Sequence, residues 1–259
     1  MRFFKDLKKN LPYVFASARA TLKSEVSGSY LNWIWWVLNP LCTMLIYVLV
    51  FGVVYEGREA FFSVFIFSGL TIWGFYNSTA TGSVKIVKAN KAIISRIYLP
   101  KYVLILELMA VNGFKMLISL CVVFLMLVFF KIPFTFASFY LLYILLTMAC
   151  FTFGLSCLFL HWGVYVQDLS NVVRIVLRFQ YFLSGIFFKI ESRIPAPAGP
   201  WVLRLNPMAL VIDSTRNALI DGQVSNLVPL TVWLCVGILL SVIGVHTIYK
   251  NENSYVKVI

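Results

Sequence analysis

The chain has 259 residues, of which 61% are hydrophobic and only 12% charged, and its mean hydropathy is +0.87. That composition excludes an ordinary soluble domain and identifies an integral membrane protein. The net charge of +12 lies between apolar runs, which excludes a nucleic-acid-binding patch, and an aromatic content of 17% exceeds what two interfacial belts consume, so some rings are expected to line an internal path.

Residues 1–31 carry Arg2, Lys5, Lys8, Lys9, Arg19 and Lys23, with Phe4, Leu7, Leu11, Phe15, Ala18 and Leu22 recurring every three or four positions. This is the pattern of a basic amphipathic helix lying along a membrane interface. Asn10 as N-cap and Pro12 in the first turn put the helix proper over 11–26. No apolar segment with a small-residue cleavage site precedes residue 32, so no cleaved signal peptide is expected.

Residues 32–54 form the first expected span, opened by Trp33, Trp35 and Trp36 and kinked by Pro40. A short polar turn from Glu56 to Glu59 leads to the second, 61–83, which is uncharged and offers Gly69 and Gly74 for close helix approach. The following segment holds Lys85, Lys88, Lys91, Arg96 and Lys101 with no acid, and contains a short amphipathic run over 86–97. The third span, 102–130, includes Glu107, Asn112 and Lys115; the fourth, 134–160, is uncharged.

The fifth span, 171–188, breaks into a greasy but irregular stretch over 190–222, with Pro195, Pro197, Gly199, Pro200, Trp201 and Pro207. Irregular backbone is excluded from lipid by its unpaired N–H and C=O groups, so this stretch is read as re-entrant, buried in protein or lining a watery opening. A sixth span covers 227–249. The expected fold is therefore all-α and polytopic, with six transmembrane helices, an N-terminal interface helix and two short re-entrant helices before the last span.

Lys and Arg number six, five, two and two in alternate segments from the N-terminus, against six in the remaining ones, with Lys115 in mid-span. The positive-inside rule then puts both termini in the cytoplasm and the broken stretch outside.

Catalysis finds little support. The Gly69 to Gly74 spacing is followed by Phe75-Tyr76 instead of Lys-Ser/Thr, so no nucleotide is cradled; His161 and His246 lack acid or serine partners at motif spacing; and Cys42, Cys121, Cys150, Cys157 and Cys235 lie in apolar runs without metal-ligand spacing. No metal or cofactor is expected in this chain.

Arg174 and Arg178 share a helix face at i and i+4, where they either grip a phosphate or anchor the helix at the interface. Tyr47, Phe75, Tyr76, Phe179, Phe182, Phe187 and Trp201 either form a wall for stacking sugar rings or serve membrane packing. Lys115, charged and deep, either faces the path or snorkels outward.

Taken together, Tyr30, Trp35, Asn39 and Pro40, the loop ending Tyr98-Leu99-Pro100-Lys101, Asp168, Ser184-Gly185 and Asn206-Pro207-Met208 occur in an order that resembles the transmembrane subunit of ABC-2 polysaccharide exporters, which handle O antigen, capsule and teichoic acid. The chain departs from that pattern at Gln167-Asp168, where many members have Arg-Asp, and at Ser184-Gly185, where many have Ser-Pro.

The resemblance implies a permease in the cytoplasmic membrane, a homodimer bound to two copies of a separate ATPase that carries ATP and magnesium, and a glycan on an undecaprenyl diphosphate carrier as substrate. It implies a coupling helix around Lys88, Asn90, Ile93, Ile94, Arg96 and Ile97, with Asp168 nearby. It also implies an outer gate at Ser184, Gly185, Pro195, Trp201, Asn206 and Pro207, and a head-group role for Arg174 and Arg178. The competing readings are an ABC-2 exporter of drugs or lipids, disfavoured by the minimal turn at 56–59, and an enzyme acting on polyprenyl carriers, disfavoured by the lack of paired acids or histidines.

Overall fold

The computed structural model describes residues 2–28, 30–54, 59, 61–96, 98–195 and 197–258, and every regular element among them is helical. In chain order these are α1 (Arg2–Val26), α2 (Trp35–Tyr47) continuing into a π-helix over Val48–Val54, α3 (Phe62–Ala89), α4 (Lys91–Ile94), α5 (Tyr102–Phe129) and α6 (Tyr140–Tyr165). They are followed by α7 (Leu169–Leu183), α8 (Ile190–Arg193), α9 (Ala198–Leu205), α10 (Pro207–Leu219) and α11 (Leu227–Val258).

Four stretches among the described residues are long and apolar enough to cross a membrane: Trp35–Gly52, Tyr102–Phe129, Phe136–Tyr165 and Leu227–Glu252. The other two expected spans differ for separate reasons. α3 is long enough but carries Ser68, Thr71, Thr79 and Ser83, all buried against protein. A helix sheathed by neighbours tolerates polar groups that lipid would penalise, because Thr71 and Ser83 bond back to its own carbonyls and Thr79 accepts from Asn112 of α5. α7 has 15 residues, a length of about 22 Å against a hydrocarbon core of about 30 Å.

Several expected boundaries move. α1 starts at Arg2, so Asn10 is no N-cap: its side-chain amide donates to the Asp6 carbonyl inside the helix, two residues before Pro12 interrupts the backbone ladder. α3 runs on through Lys85 and Lys88 to Ala89, leaving only the four residues of α4 as a separate piece where a helix over 86–97 was expected. α7 stops at Leu183 instead of 188, the stretch over 190–222 holds three helices instead of two, and α11 continues past 249 to Val258. Residues 56–58 of the polar turn, and Ile97, lie outside the described residues.

α3 is the centre of the packing. It is flanked by α5, α6, α7 and α10, and seventeen of its residues are buried. Beside it α6 and α11 run in the same direction with their backbones nearly touching: a Cβ on Gly154 would lie 2.6 Å from the Ser241 amide, and one on Gly237 would lie 2.8 Å from that of Phe151. Ser241 closes the seam by donating to the Cys150 carbonyl at 3.1 Å. Gly237, Ser241 and Gly244 form the small-residue stripe that lets two membrane helices gain dispersion contacts where lipid offers no hydrophobic drive.

α1 climbs along α5 in the same direction, which the flat interface reading did not anticipate. Ser17 donates to Glu107 Oε1 at 2.6 Å, and Glu25, further along α1, pairs with Lys115, further along α5. By contrast α2 is hardly covered by the rest of the chain, since Met44 alone of its thirteen residues is buried.

Candidate functional site

The broken stretch is a tightly tied unit. α7 ends because Ser184 turns its hydroxyl back to the Gln180 carbonyl and Gly185 adopts φ of 65°, a conformation that favours glycine. Glycine thus stops this helix without a proline. Asn206 then does two jobs. Its Oδ1 accepts from the backbone of Met208 and Ala209, capping α10 ahead of Pro207 at the first helical position, and accepts from Gln180 Nε2 at 3.0 Å. Its Nδ2 donates to the Leu183 carbonyl and to Ser184 Oγ, both at 3.2 Å. The chain of bonds continues to α3, where the Tyr76 hydroxyl donates to Gln180 Oε1.

α10 carries the second tie. Arg216 is 2% exposed and donates Nη1 to the Gly185 carbonyl, Nη2 to that of Ile186 and Nε to that of Phe65 on α3, with its guanidinium 3.5 Å over the Phe65 ring. A Cβ on Gly69 would lie 2.6 Å from Nη2, so that glycine makes room for this arginine. Nearby, Lys189 pairs with Asp221 at 2.9 Å. Trp201 on α9 is 60% exposed.

The aromatic residues separate into two groups. Phe75, Tyr76 and Phe187 are buried within the chain and are not a free wall. Phe187 stacks on Phe51 at 4.4 Å and meets Tyr47 and Tyr181 edge-on, and Trp73 joins Tyr181 to Tyr76. Phe179 and Phe182 stand on the surface of the chain instead, 69% and 57% exposed. They belong to a wide apolar face of α7 with Val172, Ile175 and Val176, opposite the buried Val173 and Leu177.

Arg174 and Arg178 are both exposed, on that outward side of α7. Arg174 is held by Ser170 O and Asn171 Oδ1, while no polar partner of Arg178 is found among the described residues. Lys115 is neither free nor snorkelling to the far boundary, because Glu25 takes it at 2.6 Å. With Phe75, Asn39, Ser78, Asn112 and Ser119 it borders a cavity of about 260 Å3 between α2, α3 and α5.

At the opposite end of the molecule, Asn90 closes α3 by donating Nδ2 to the Ile86 carbonyl and starts α4 with its own carbonyl. Ile94 is buried against Ile86, Val87 and Leu99, whereas Ile93 and Arg96 are exposed and Lys88 is half-buried. Asp168 is exposed and its carbonyl accepts the first amides of α7. The Tyr98-Leu99-Pro100-Lys101 turn grips α11: Glu252 accepts from the Tyr98 hydroxyl at 2.9 Å and pairs with Lys101 at 3.5 Å, both charges being buried.

Four residues in these ties escaped the reading of the sequence: Gln180, Arg216, Glu252 and Glu25. Arg216 enters the charge pattern only as one of the six Lys and Arg of the outer segments. Its signal lay in the register of Ile212 and Arg216 on one face of a helix begun by Asn206-Pro207, a face too apolar to leave an arginine in water.

Comparison with known proteins gives the context of this geometry. The ABC-2 type transporter family model matches residues 13–220. The chain is 26% identical over 258 residues, 98% of each chain, to the O-antigen export system permease protein RfbA of Klebsiella pneumoniae, and 22% identical to the protein of that name from Myxococcus xanthus, over 93% of this chain and 92% of the relative. It is 26% identical to the polysialic acid transport protein KpsM of Escherichia coli, over 77% of this chain and 78% of the relative.

Proposed function

The chain belongs to the ABC-2 type transporter family, and from that premise we propose that it is the permease subunit of an ABC exporter that carries a lipid-linked polysaccharide across the cytoplasmic membrane. The observation that carries the reading is similarity along nearly the whole length of O-antigen export permeases. The chain itself is not an enzyme: energy comes from a separate ABC ATPase, which binds ATP and magnesium.

In this reading the chain works as a homodimer with six passes and both termini in the cytoplasm. The uncovered α2 and the exposed apolar face of α7 supply surface for a second copy, and the alternating directions of α3, α5, α6, α7 and α11 fit successive crossings. α4 with its exposed Ile93, and Arg96 in the turn after it, docks into the ATPase. The tied stretch from Ser184 to Leu219 is the outer gate, and Phe179 and Phe182 line the path beside it. Arg174 and Arg178 meet the diphosphate of the carrier.

The test is reconstitution of the permease with its partner ABC ATPase into vesicles, with lipid-linked glycan added on the ATPase side. ATP-dependent appearance of glycan on the other side is expected. Failure to form a complex with the ATPase, or glycan transfer without ATP, removes the proposal.

A further inference from the structure

A groove of about 910 Å3 separates α1 from α5 and opens on the outside of the chain. Phe15, Leu22, Trp36 and Phe114 wall it, and Ala110 and Gly113 keep its floor low. Arg19 and Lys23, one helical turn apart on α1, stand at its edge. Both are exposed, and neither has a hydrogen-bonding or ion-pair partner among the described residues. Lys115, by contrast, is already paired with Glu25.

Their height decides what they meet. Ser17 and Thr21 both bond to Glu107 and Glu25 pairs with Lys115, so Arg19 stands level with Glu107 and Lys23 with the middle of the 107–115 segment of α5. From these levels to Phe129 the helix rises roughly 27–33 Å, close to the thickness of a hydrocarbon core. With Phe129 taken as the far edge of the core, the two cations fall at the boundary where lipid phosphates lie, and the apolar groove extends from them toward Leu117, into the acyl region.

We infer that this groove is a binding site for a phospholipid with a net negative head group, its phosphate between Arg19 and Lys23 and an acyl chain between α1 and α5. The lipid fills space that the α1 to α5 hydrogen bonds leave empty and fastens α1 to the span. The inference rests on α5 crossing a membrane and is independent of the transported substrate.

Trp36 in the wall supplies the readout. The full chain is reconstituted in phosphatidylcholine vesicles doped with brominated phosphatidylglycerol or brominated phosphatidylcholine, and Trp36 emission is taken as the difference between the native protein and Trp36→Phe. Brominated phosphatidylglycerol is expected to quench this component at about tenfold lower mole fraction than brominated phosphatidylcholine. Arg19→Gln with Lys23→Gln should abolish the difference; Lys8→Gln with Lys9→Gln, the same charge loss elsewhere on α1, should preserve it, as should Arg19→Lys. Equal quenching by the two lipids, or a preference that survives loss of Arg19 and Lys23, overturns the inference. So does abolition of the preference by excess inorganic phosphate, which would mean a phosphate site without an acyl chain.

Discussion

Arg216 Nη1 donates to the Gly185 carbonyl at 2.7 Å, fixing α10 to the turn that ends α7. The same guanidinium reaches α3 through the Phe65 carbonyl, and no carboxylate lies within ion-pair distance of it among the described residues. Three backbone carbonyls hold the charge directly, with Asp213 and Glu59 attracting it from farther off, and three segments far apart in the chain meet at one side chain. Such a site is specific to arginine, because only its planar fork offers three donors in these directions.

Arg216→Met leaves three buried carbonyls without their donor, at a cost of about 3–5 kcal/mol, while Arg216→Lys keeps the charge but not the fork and costs about 2 kcal/mol. Thermal unfolding of the detergent-purified protein should show Tm falling by roughly 10 °C for the first and less for the second. A methionine variant that melts with the native protein would contradict the bridging role.

Asn206 separates capping from tying. Asn206→Ala loses the α10 cap, about 1 kcal/mol, together with the bonds to Gln180, Leu183 and Ser184, for about 2 kcal/mol in all. Asn206→Asp retains an acceptor for the cap and for Gln180 but loses both donors, so its stability should fall between native and alanine. Equal losses for the two variants would mean that the bonds donated to Leu183 and Ser184 carry the whole effect.

What the sequence disclosed and concealed follows from the range of each interaction. The helix stop at Ser184-Gly185 and the start at Asn206-Pro207 are local, depending on one φ value and one cap, yet the apolar run through Phe188 carried the expected span past the first. The length of α3 is not local: its last turns carry Lys85 and Lys88, which look like loop residues, yet Ile86 and Val87 between them are buried against Leu99 and Tyr102. Lys115 was legible as anomalous, but its partner Glu25 is 90 residues away on a helix read as lying flat. Phe75 and Tyr76 show the limit of composition, since the same aromatic surplus fills a core or faces a path.

Lys101 and Glu252 form a buried pair at the foot of α11, with side chains 3% and 9% exposed. Glu252→Gln leaves the ammonium without its counter-charge and should cost about 3–5 kcal/mol, measured as loss of thermal stability. Lys101→Met combined with Glu252→Gln removes the orphaned charge and should recover a large part of that loss. If the double variant is no better than Glu252→Gln, the carboxylate acts through Tyr98 and not through the lysine.

Glu25 and Lys115 join α1 to α5 at a height where both remain about a third exposed, with side-chain accessibilities of 38% and 31%. In water such a pair would contribute at most about 1 kcal/mol, and interhelical polar contacts in membranes average about 0.6 kcal/mol, because an unpaired group finds other partners there too. Neutralising either residue should therefore destabilise modestly, but reversing one should do more, since Lys115→Glu would face Glu25. The reciprocal exchange, Glu25→Lys with Lys115→Glu, restores attraction between the two positions. It should recover stability over the single Lys115→Glu variant by about 1 kcal/mol in a double-mutant cycle. Additive single effects would mean that α1 is held on α5 by Glu107 and apolar contact alone.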